Sequence, residues 1–189
     1  MLILLSLCCL IPLTSSISSY LDDLDPICLF KVCVTVEMEN HSDVPLKNPQ
    51  LYLRHGLLVH SIRAVPPHSM HSFMMRKLLW TESGIDGIFT FDVGNRQIIV
   101  YITAPTNFAK HVNQIGVAIT KEGYYNRAKQ HFGSLSNADL GGSFDVWAIQ
   151  PSYPNDSNRP LVIRLPEFTI IAQIGIQHIT SAVIRIFPT

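Results

Sequence analysis

The sequence predicts a mainly β fold, an antiparallel β-sandwich or a small barrel, and three observations support this prediction. Apolar and polar residues alternate with a period of two in many short segments, as in strands that bury one face. Gly, Pro and Asn residues interrupt these segments at close spacing, and only one segment has a helical pattern. The 189 residues are enough for one domain with a substantial core.

The first residues predict export. Residues 1–13 form an apolar block that small polar residues follow up to Ser18, which is the outline of a secretory signal peptide over residues 1–18. This block is too short to span a bilayer, which needs about 20 apolar residues. The alternative is an uncleaved amphipathic membrane segment over residues 2–24. Residues 19–29 are then a short N-terminal segment with three aspartates and Pro26, which interrupts a helix.

The sandwich domain is predicted over residues 30–189, and its first half carries most of the strand patterns. Residues 30–38 alternate, and the apolar face of this strand is formed by Val32, Val34, Val36 and Met38. Turn residues separate the further strands predicted at residues 51–54, 57–65, 70–79, 85–93 and 97–101. Gly94 and Asn95 form a hairpin signal between the last two.

A polar loop at residues 106–114 is the most distinctive connection in the chain. It joins the strand at residues 97–101 to a strand at residues 115–119. Loops held by rigid strands often carry binding groups. Residues 122–132 then predict a helix that ends at Gly133. Strand patterns resume at residues 143–149, 161–174 and 179–187.

Composition and motifs argue against several function classes. Acidic and basic residues number 14 each, so the charge balance gives no reason to expect nucleic acid as a partner. His68 and His71 lack a Cys or carboxylate at metal-ligand spacing, and we interpret them as surface or turn residues. The sequence contains no nucleophile elbow, phosphate-binding Gly-rich loop or paired-carboxylate motif. We therefore expect no enzyme, no cofactor and no metal.

The cysteines and sequons suit an exported protein. A signal peptide would carry Cys8 and Cys9 away and leave Cys28 and Cys33. The apolar, extended residues between these two favour separate core thiols over a bridge, which would need a turn. Asn40 and Asn155 each begin a glycosylation sequon.

Several short motifs, in their order along the chain, resemble the actinoporin family of pore-forming cytolysins and especially its vertebrate-type members. The similar pieces are Met38-Glu39-Asn40 at a strand end, the hairpin Tyr52-Leu53-Arg54-His55-Gly56, the turn Pro67-His68-Ser69, the strand start Gly84-Ile85-Asp86-Gly87-Ile88, and the strand end Thr103-Ala104-Pro105. The resemblance covers roughly residues 32–125. It implies a compact antiparallel β-sandwich flanked by one or two short helices, similar also to fungal fruit-body lectins. Residues 150–176 would then be a divergent insertion.

The resemblance also implies a lipid headgroup site. In this family the sandwich binds phosphocholine headgroups while an N-terminal helix detaches and inserts into the membrane. Such a site needs aromatic faces for the quaternary ammonium and hydroxyls or basic groups for the phosphate. The matching positions here are His55, Asp86, Thr103, Pro105, Phe108, His111, Tyr124 and Tyr125, and the membrane-contact loop would present Phe108, Lys110 and Gln114.

The implied function is that of a secreted protein that associates with a target membrane. It would recognise phosphocholine or sphingomyelin headgroups, associate with itself, and open a cation-permeable pore. The alternative is a secreted, non-lytic β-sandwich module that binds lipids or glycans in the manner of a lectin. The alternative is favoured by the loop at residues 106–114, which has Phe108 as its one aromatic residue apart from His111, and by the short N-terminal segment.

Overall fold

The computed structural model describes residues 31–136, 142–153 and 159–189. In these residues eleven strands and one helix follow one another along the chain. The elements are β1 (Cys33–Asn40), β2 (Lys47–His55), β3 (Leu57–Leu58), β4 (Ser69–Arg76), β5 (Ile85–Val93), β6 (Arg96–Ala104), β7 (Gln114–Thr120), α1 (Ala128–Ser136), β8 (Phe144–Pro151), β9 (Leu161–Arg164), β10 (Phe168–Ile174) and β11 (Ile179–Pro188). The predicted signal peptide, the segment 19–29 and Cys28 lie outside the described residues.

The strands form two sheets that pack face to face. One sheet has six strands in the order β3-β4-β1-β11-β10-β9, and the other has five in the order β2-β5-β6-β7-β8. Neighbouring strands are antiparallel except β1 and β11, which run parallel. The predicted antiparallel β-sandwich with a short helix is confirmed.

The main core lies between the sheets. Alternation places every second side chain of a strand on this inner face. The predicted inner face of β1 is confirmed, because Val34, Val36 and Met38 are fully buried and Val32 is buried just before the strand. From the facing sheet Phe89, Phe91 and Val100 enter the same cluster.

A second, smaller cluster covers the outer face of the five-stranded sheet. There Phe132 and Ala128 of α1 pack on a group of buried sheet residues, Ile88, Ile99 and Ala118. Strands β5 and β6 are therefore buried on both faces, which explains their nearly continuous apolar sequences. Because α1 is short, it leaves part of this outer face uncovered.

The helix begins later than the sequence pattern predicts. The predicted helix at residues 122–132 is wrong at both ends, since α1 spans Ala128–Ser136. Gly123 has a left-handed backbone and donates to the carbonyl of Asn95, which holds the preceding residues in a turn. The carbonyl of Arg127 accepts the first helical hydrogen bonds while the side chain of Gln130 accepts from the Arg127 amide, as in half of a capping box. Gly133 lies inside the helix.

Two predicted strands differ from the fold. The segment 57–65 pairs with β4 only at its start, because Val65 exchanges hydrogen bonds with Leu46 and draws the chain away. The segment 161–174 is a hairpin of β9 and β10, since Pro166 lacks an amide hydrogen and sits in the turn between them. Both strands belong to the six-stranded sheet, so this part of the segment predicted as an insertion, 150–176, is integral to the sandwich.

Candidate functional site

One row of side chains crosses the uncovered end of the five-stranded sheet. Asp86 of β5 is directly opposite Thr103 of β6, and Thr103 is opposite Gln114 of β7. Residues paired in this way share a face of the sheet. The fold therefore aligns three predicted site residues that are far apart in sequence.

A cavity opens beside this row, between the strand ends and the loop at residues 105–113. Its volume is about 410 Å³. It is lined by six of the predicted site residues, His55, Asp86, Thr103, Pro105, His111 and Gln114. Arg54, Tyr101 and Glu82 also line it, and none of these three was among the predicted site residues.

A smaller and more apolar cavity of about 150 Å³ adjoins the first one below α1. The two share Arg54, Tyr101 and Gln114, so we treat them together as the Arg54 cavity. The walls of the smaller part are Tyr101, Phe132, Leu135, Trp147 and Ile149. One end of the Arg54 cavity is thus polar and the other is aromatic.

Arg54 and Asp86 form the electrostatic centre of this cavity. The Arg54 guanidinium makes an ion pair with the largely buried Asp86 carboxylate. It also lies 5.3 Å from the centre of the Phe132 ring, within range of a cation–π contact. Burial, and next the negative charge of Asp86, raise the pKa of Tyr101 to about 12, so its hydroxyl keeps its proton at neutral pH.

The predicted membrane-contact loop is arranged differently from the prediction. The Phe108 ring packs on His178, with ring centres 4.1 Å apart, and it does not line the Arg54 cavity. Lys110 is exposed and lines a neighbouring groove together with Lys31 and Lys77. Gln114 is the residue of this group that faces the Arg54 cavity.

Tyr124 and Tyr125 lie at the opposite end of the sheet. The Tyr125 hydroxyl donates to the carbonyl of Gly94 in the β5–β6 turn, and the Tyr124 ring packs near His131. Gly94 lies in the turn before β6, and the seven residue steps of extended strand from Arg96 to Thr103 cover about 23 Å. The fold therefore places these two tyrosines apart from Thr103 and the other predicted site residues of the strand ends.

The aromatic wall of the cavity comes from residues that sequence reasoning did not select. Tyr101 lies two residues before Thr103 on β6, so the two side chains share a face of the sheet. Strand alternation in the sequence could therefore have identified Tyr101 as a site residue. Trp147 and Phe132 reach the cavity through pairing of β8 with β7 and through the position of α1. Because these contacts join distant parts of the chain, periodicity alone does not reveal them.

The predicted glycosylation at Asn40 is opposed by the fold. The Asn40 side chain is buried, and its Nδ2 atom, where a glycan would attach, donates to the carbonyls of Val44, Val65 and Pro66. Asn155 lies outside the described residues.

Within the described ranges no three His, Cys, Asp or Glu side chains are grouped to hold a metal ion. In that same part of the chain no helix is both long and apolar enough to cross a membrane.

Three known proteins are similar to this chain in sequence. Conoporin-Cn1 of Conus consors is 23% identical over 130 residues, 68% of this chain and 52% of that protein. Echotoxin-2 of Monoplex parthenopeus is 29% identical over 97 residues, 50% of this chain and 35% of that protein. Tereporin-Ca1 of Terebra anilis is 25% identical over 97 residues, 50% of this chain and 51% of that protein. The chain thus spans about half, or less, of the length of these relatives.

Among solved structures, the lipid-binding protein Nakanori has a similar fold. Its TM-score is 0.60 at 15% identity, covering 82% of this chain and 71% of that chain. At this identity the likeness concerns the fold alone. No family model matches the chain. The family resemblance predicted from the short motifs is confirmed, and the relatives named above are toxins and a lipid-binding protein, not enzymes.

Proposed function

Because the chain is similar to actinoporin-like toxins, we propose that it binds membrane lipids and receives a phosphocholine headgroup in the Arg54 cavity. The observation that carries this proposal is the position of Arg54. Its guanidinium is held by Asp86 at the junction between the polar and the aromatic parts of the cavity. A zwitterionic headgroup needs these two environments side by side.

The chemistry of the lining matches each half of such a headgroup. A guanidinium has five N–H donors, so Arg54 retains donors for a phosphate while it is paired with Asp86. The Thr103 hydroxyl lies on the same side as a further donor. The quaternary ammonium would lie against Tyr101, Phe132 or Trp147, and each such contact contributes about 0.5–2 kcal/mol, depending on desolvation. Sphingomyelin is the headgroup donor that the family resemblance favours.

We propose that membrane-bound copies then associate and open a cation-permeable pore. The support is the sequence similarity to proteins named as toxins and porins. The apolar block at residues 1–13 is the part of the sequence best suited to enter a bilayer. Residues 19–29 are less suited, because a charged aspartate at the bilayer centre costs at least about 2.5 kcal/mol.

The second candidate is a secreted, non-lytic module that binds lipids or glycans. It is favoured by the packing of Phe108 on His178, which leaves the one aromatic residue of the loop at residues 105–113 apart from His111 only partly exposed. The polar lining by Glu82, Asp86 and Asn107 would suit sugar hydroxyls. In this case the cavity binds its ligand and no pore follows.

Vesicle binding by matched arginine variants tests the first candidate. Arg54→Lys keeps a positive charge beside Asp86 but loses the planar fork that a phosphate contacts. Arg185→Lys is the control, because Arg185 also pairs with a carboxylate, Glu39, but on the six-stranded sheet. We expect Arg54→Lys to weaken binding to phosphatidylcholine–sphingomyelin vesicles by about tenfold, since hydrogen bonds to charged groups contribute about 1.5–3 kcal/mol.

The outcomes separate the candidates. Equal binding by the two variants would show that Arg54 does not contact the headgroup. Dye release from the same vesicles by the wild-type chain would support the pore. Binding without dye release would support the non-lytic module, and binding to glycans with no binding to vesicles would contradict the lipid proposal.

A further inference from the structure

The turn between β4 and β5 exposes three consecutive apolar side chains. Leu78 and Leu79 are 42% and 44% exposed, and Trp80 is 99% exposed. We call these three residues the apolar tip. Single exposed apolar residues are ordinary, but a contiguous group that includes a fully exposed tryptophan indicates a contact surface.

The backbone gives no reason for a tryptophan at this position. Trp80 has a φ of 60°, the left-handed region that favours Gly and Asn and is rare for a bulky residue. Its side chain gains nothing from packing, because almost all of it faces solvent. Neither core packing nor the backbone conformation of the turn therefore explains why a tryptophan occupies position 80. Contact with a partner outside the fold would explain it.

The apolar tip is held in place by hydrogen bonds. The Lys77 ammonium donates to the Thr81 carbonyl over 2.7 Å, and the Thr81 hydroxyl donates to the Leu78 carbonyl over 3.0 Å. The Thr106 hydroxyl donates to the Glu82 carbonyl over 2.6 Å and ties the turn to the loop at residues 105–113. A braced turn presents its side chains without a large loss of conformational entropy on binding.

A positively charged groove lies beside the apolar tip. It has a volume of about 970 Å³ and includes Lys31, Lys77 and Lys110 against one acidic residue, Glu82. We call it the lysine groove. It shares Glu82, Thr106, Asn107 and His111 with the Arg54 cavity, so the three features lie at one end of the sandwich.

We propose that this end of the sandwich docks on an anionic bilayer surface, with the apolar tip in the interfacial layer and the lysine groove facing anionic headgroups. This inference rests on the proposed lipid binding and adds a selectivity for anionic lipid. Tryptophan favours the membrane interface, and lysines near an anionic leaflet are attracted to it. The apolar tip is too small for the roughly 1,000 Å² that a stable protein interface needs, whereas a bilayer accepts a few side chains.

Tryptophan and lysine variants test the proposal on phosphatidylcholine vesicles with and without phosphatidylserine. Trp80→Asn suits the left-handed backbone, so its melting temperature should equal or exceed that of the wild type. We expect it to weaken binding to the anionic vesicles by about tenfold. We also expect the wild type, but not this variant, to show a blue shift of Trp80 fluorescence on binding. The control is Met70→Gln, which alters an exposed apolar residue at the other end of β4.

The charge of the groove has its own test. Lys31→Gln and Lys110→Gln should each weaken binding to the anionic vesicles about fivefold and leave binding to pure phosphatidylcholine unchanged. Lys47→Gln, at the start of β2 and far from the groove, should change neither.

Each result decides between the two proposals. If Trp80→Asn or both groove variants bind the anionic vesicles like the wild type while Arg54→Lys binds weakly, the docking proposal is wrong and the headgroup proposal stands. If the wild-type chain binds no vesicle of any composition, lipid binding itself is wrong. If the lysine variants lose binding equally on both kinds of vesicle, the anionic selectivity is wrong.

Discussion

At the scale of one residue, the packing of α1 on the sheet requires the side chain of His131 to be neutral. It is a buried residue of α1, and its Nε2 atom lies 2.8 Å from Oε1 of Gln97 on the neighbouring sheet. Burial lowers the pKa of His131 to about 4, whereas an unfolded histidine titrates near 6.5. Between pH 6.5 and about 4, His131 is therefore protonated in the unfolded chain and neutral in the folded chain.

The first prediction follows from the sign of this shift. The contribution of His131 to stability is fully present above pH 6.5 and is lost as the pH falls towards 4. We expect the free energy of unfolding of the wild type to fall by about 2 kcal/mol more over this range than that of His131→Gln, which has no titrating ring. Urea unfolding at several pH values measures the difference, and parallel curves for the two chains would contradict the assignment.

At the scale of elements, two glycines report on how α1 and β8 cover the outer face of the sheet. A Cβ added to Gly133 of α1 would meet no atom within 4 Å beyond its chain neighbours and the backbone of its own helix. In Gly116 of β7 it would lie 2.7 Å from Cη2 of Trp147, in the wall of the Arg54 cavity. The same substitution should therefore have opposite effects at the two positions.

The second prediction compares these glycines. Gly133→Ala should stabilise the chain by roughly 0.5–1 kcal/mol, because alanine restricts the unfolded chain and suits a helix. Gly116→Ala should destabilise it by roughly 1–3 kcal/mol, because the Trp147 ring must move, and it should also weaken headgroup binding. Thermal unfolding checks both signs. A destabilising Gly133→Ala would show that α1 does not continue through residue 133.

Sequence patterns predicted elements more accurately than their contacts. The bounds of β5 agree with the prediction for residues 85–93, because a long apolar run and a hairpin signal define them locally. The start of α1 was missed, because the turn before it is held by Asn95 and Gln97, which are distant in sequence. Six predicted residues line the Arg54 cavity, since they flank strand ends, whereas its aromatic wall depends on strand pairing and helix packing.

At the scale of the whole molecule, the proposed pore depends on which residues precede the sandwich. Residues 19–29 carry three aspartates and Pro26, a sequence that predicts neither a long nor an apolar helix. Residues 1–18 add the apolar block. The sandwich would then bind the lipid while the preceding residues determine whether the bilayer is breached.

The third prediction compares chains that start at Met1 and at Ser19. Both should bind phosphatidylcholine–sphingomyelin vesicles, because both contain the sandwich. The longer chain should release trapped dye efficiently and the shorter one poorly, since burying even one charged aspartate costs at least about 2.5 kcal/mol. Strong leakage by the chain that starts at Ser19 at neutral pH would contradict the insertion argument.

The central claim is that the Arg54 cavity holds a phosphocholine headgroup, and the fluorescence of Trp147 tests it most directly. The chain has two tryptophans, so Trp80→Asn leaves Trp147, in the cavity wall, as the single reporter. Titration of this variant with soluble phosphocholine should give a saturable change in emission, and adding Arg54→Lys should weaken the apparent affinity about tenfold. No change in Trp147 emission with phosphocholine, or the same affinity with and without Arg54→Lys, would contradict the account.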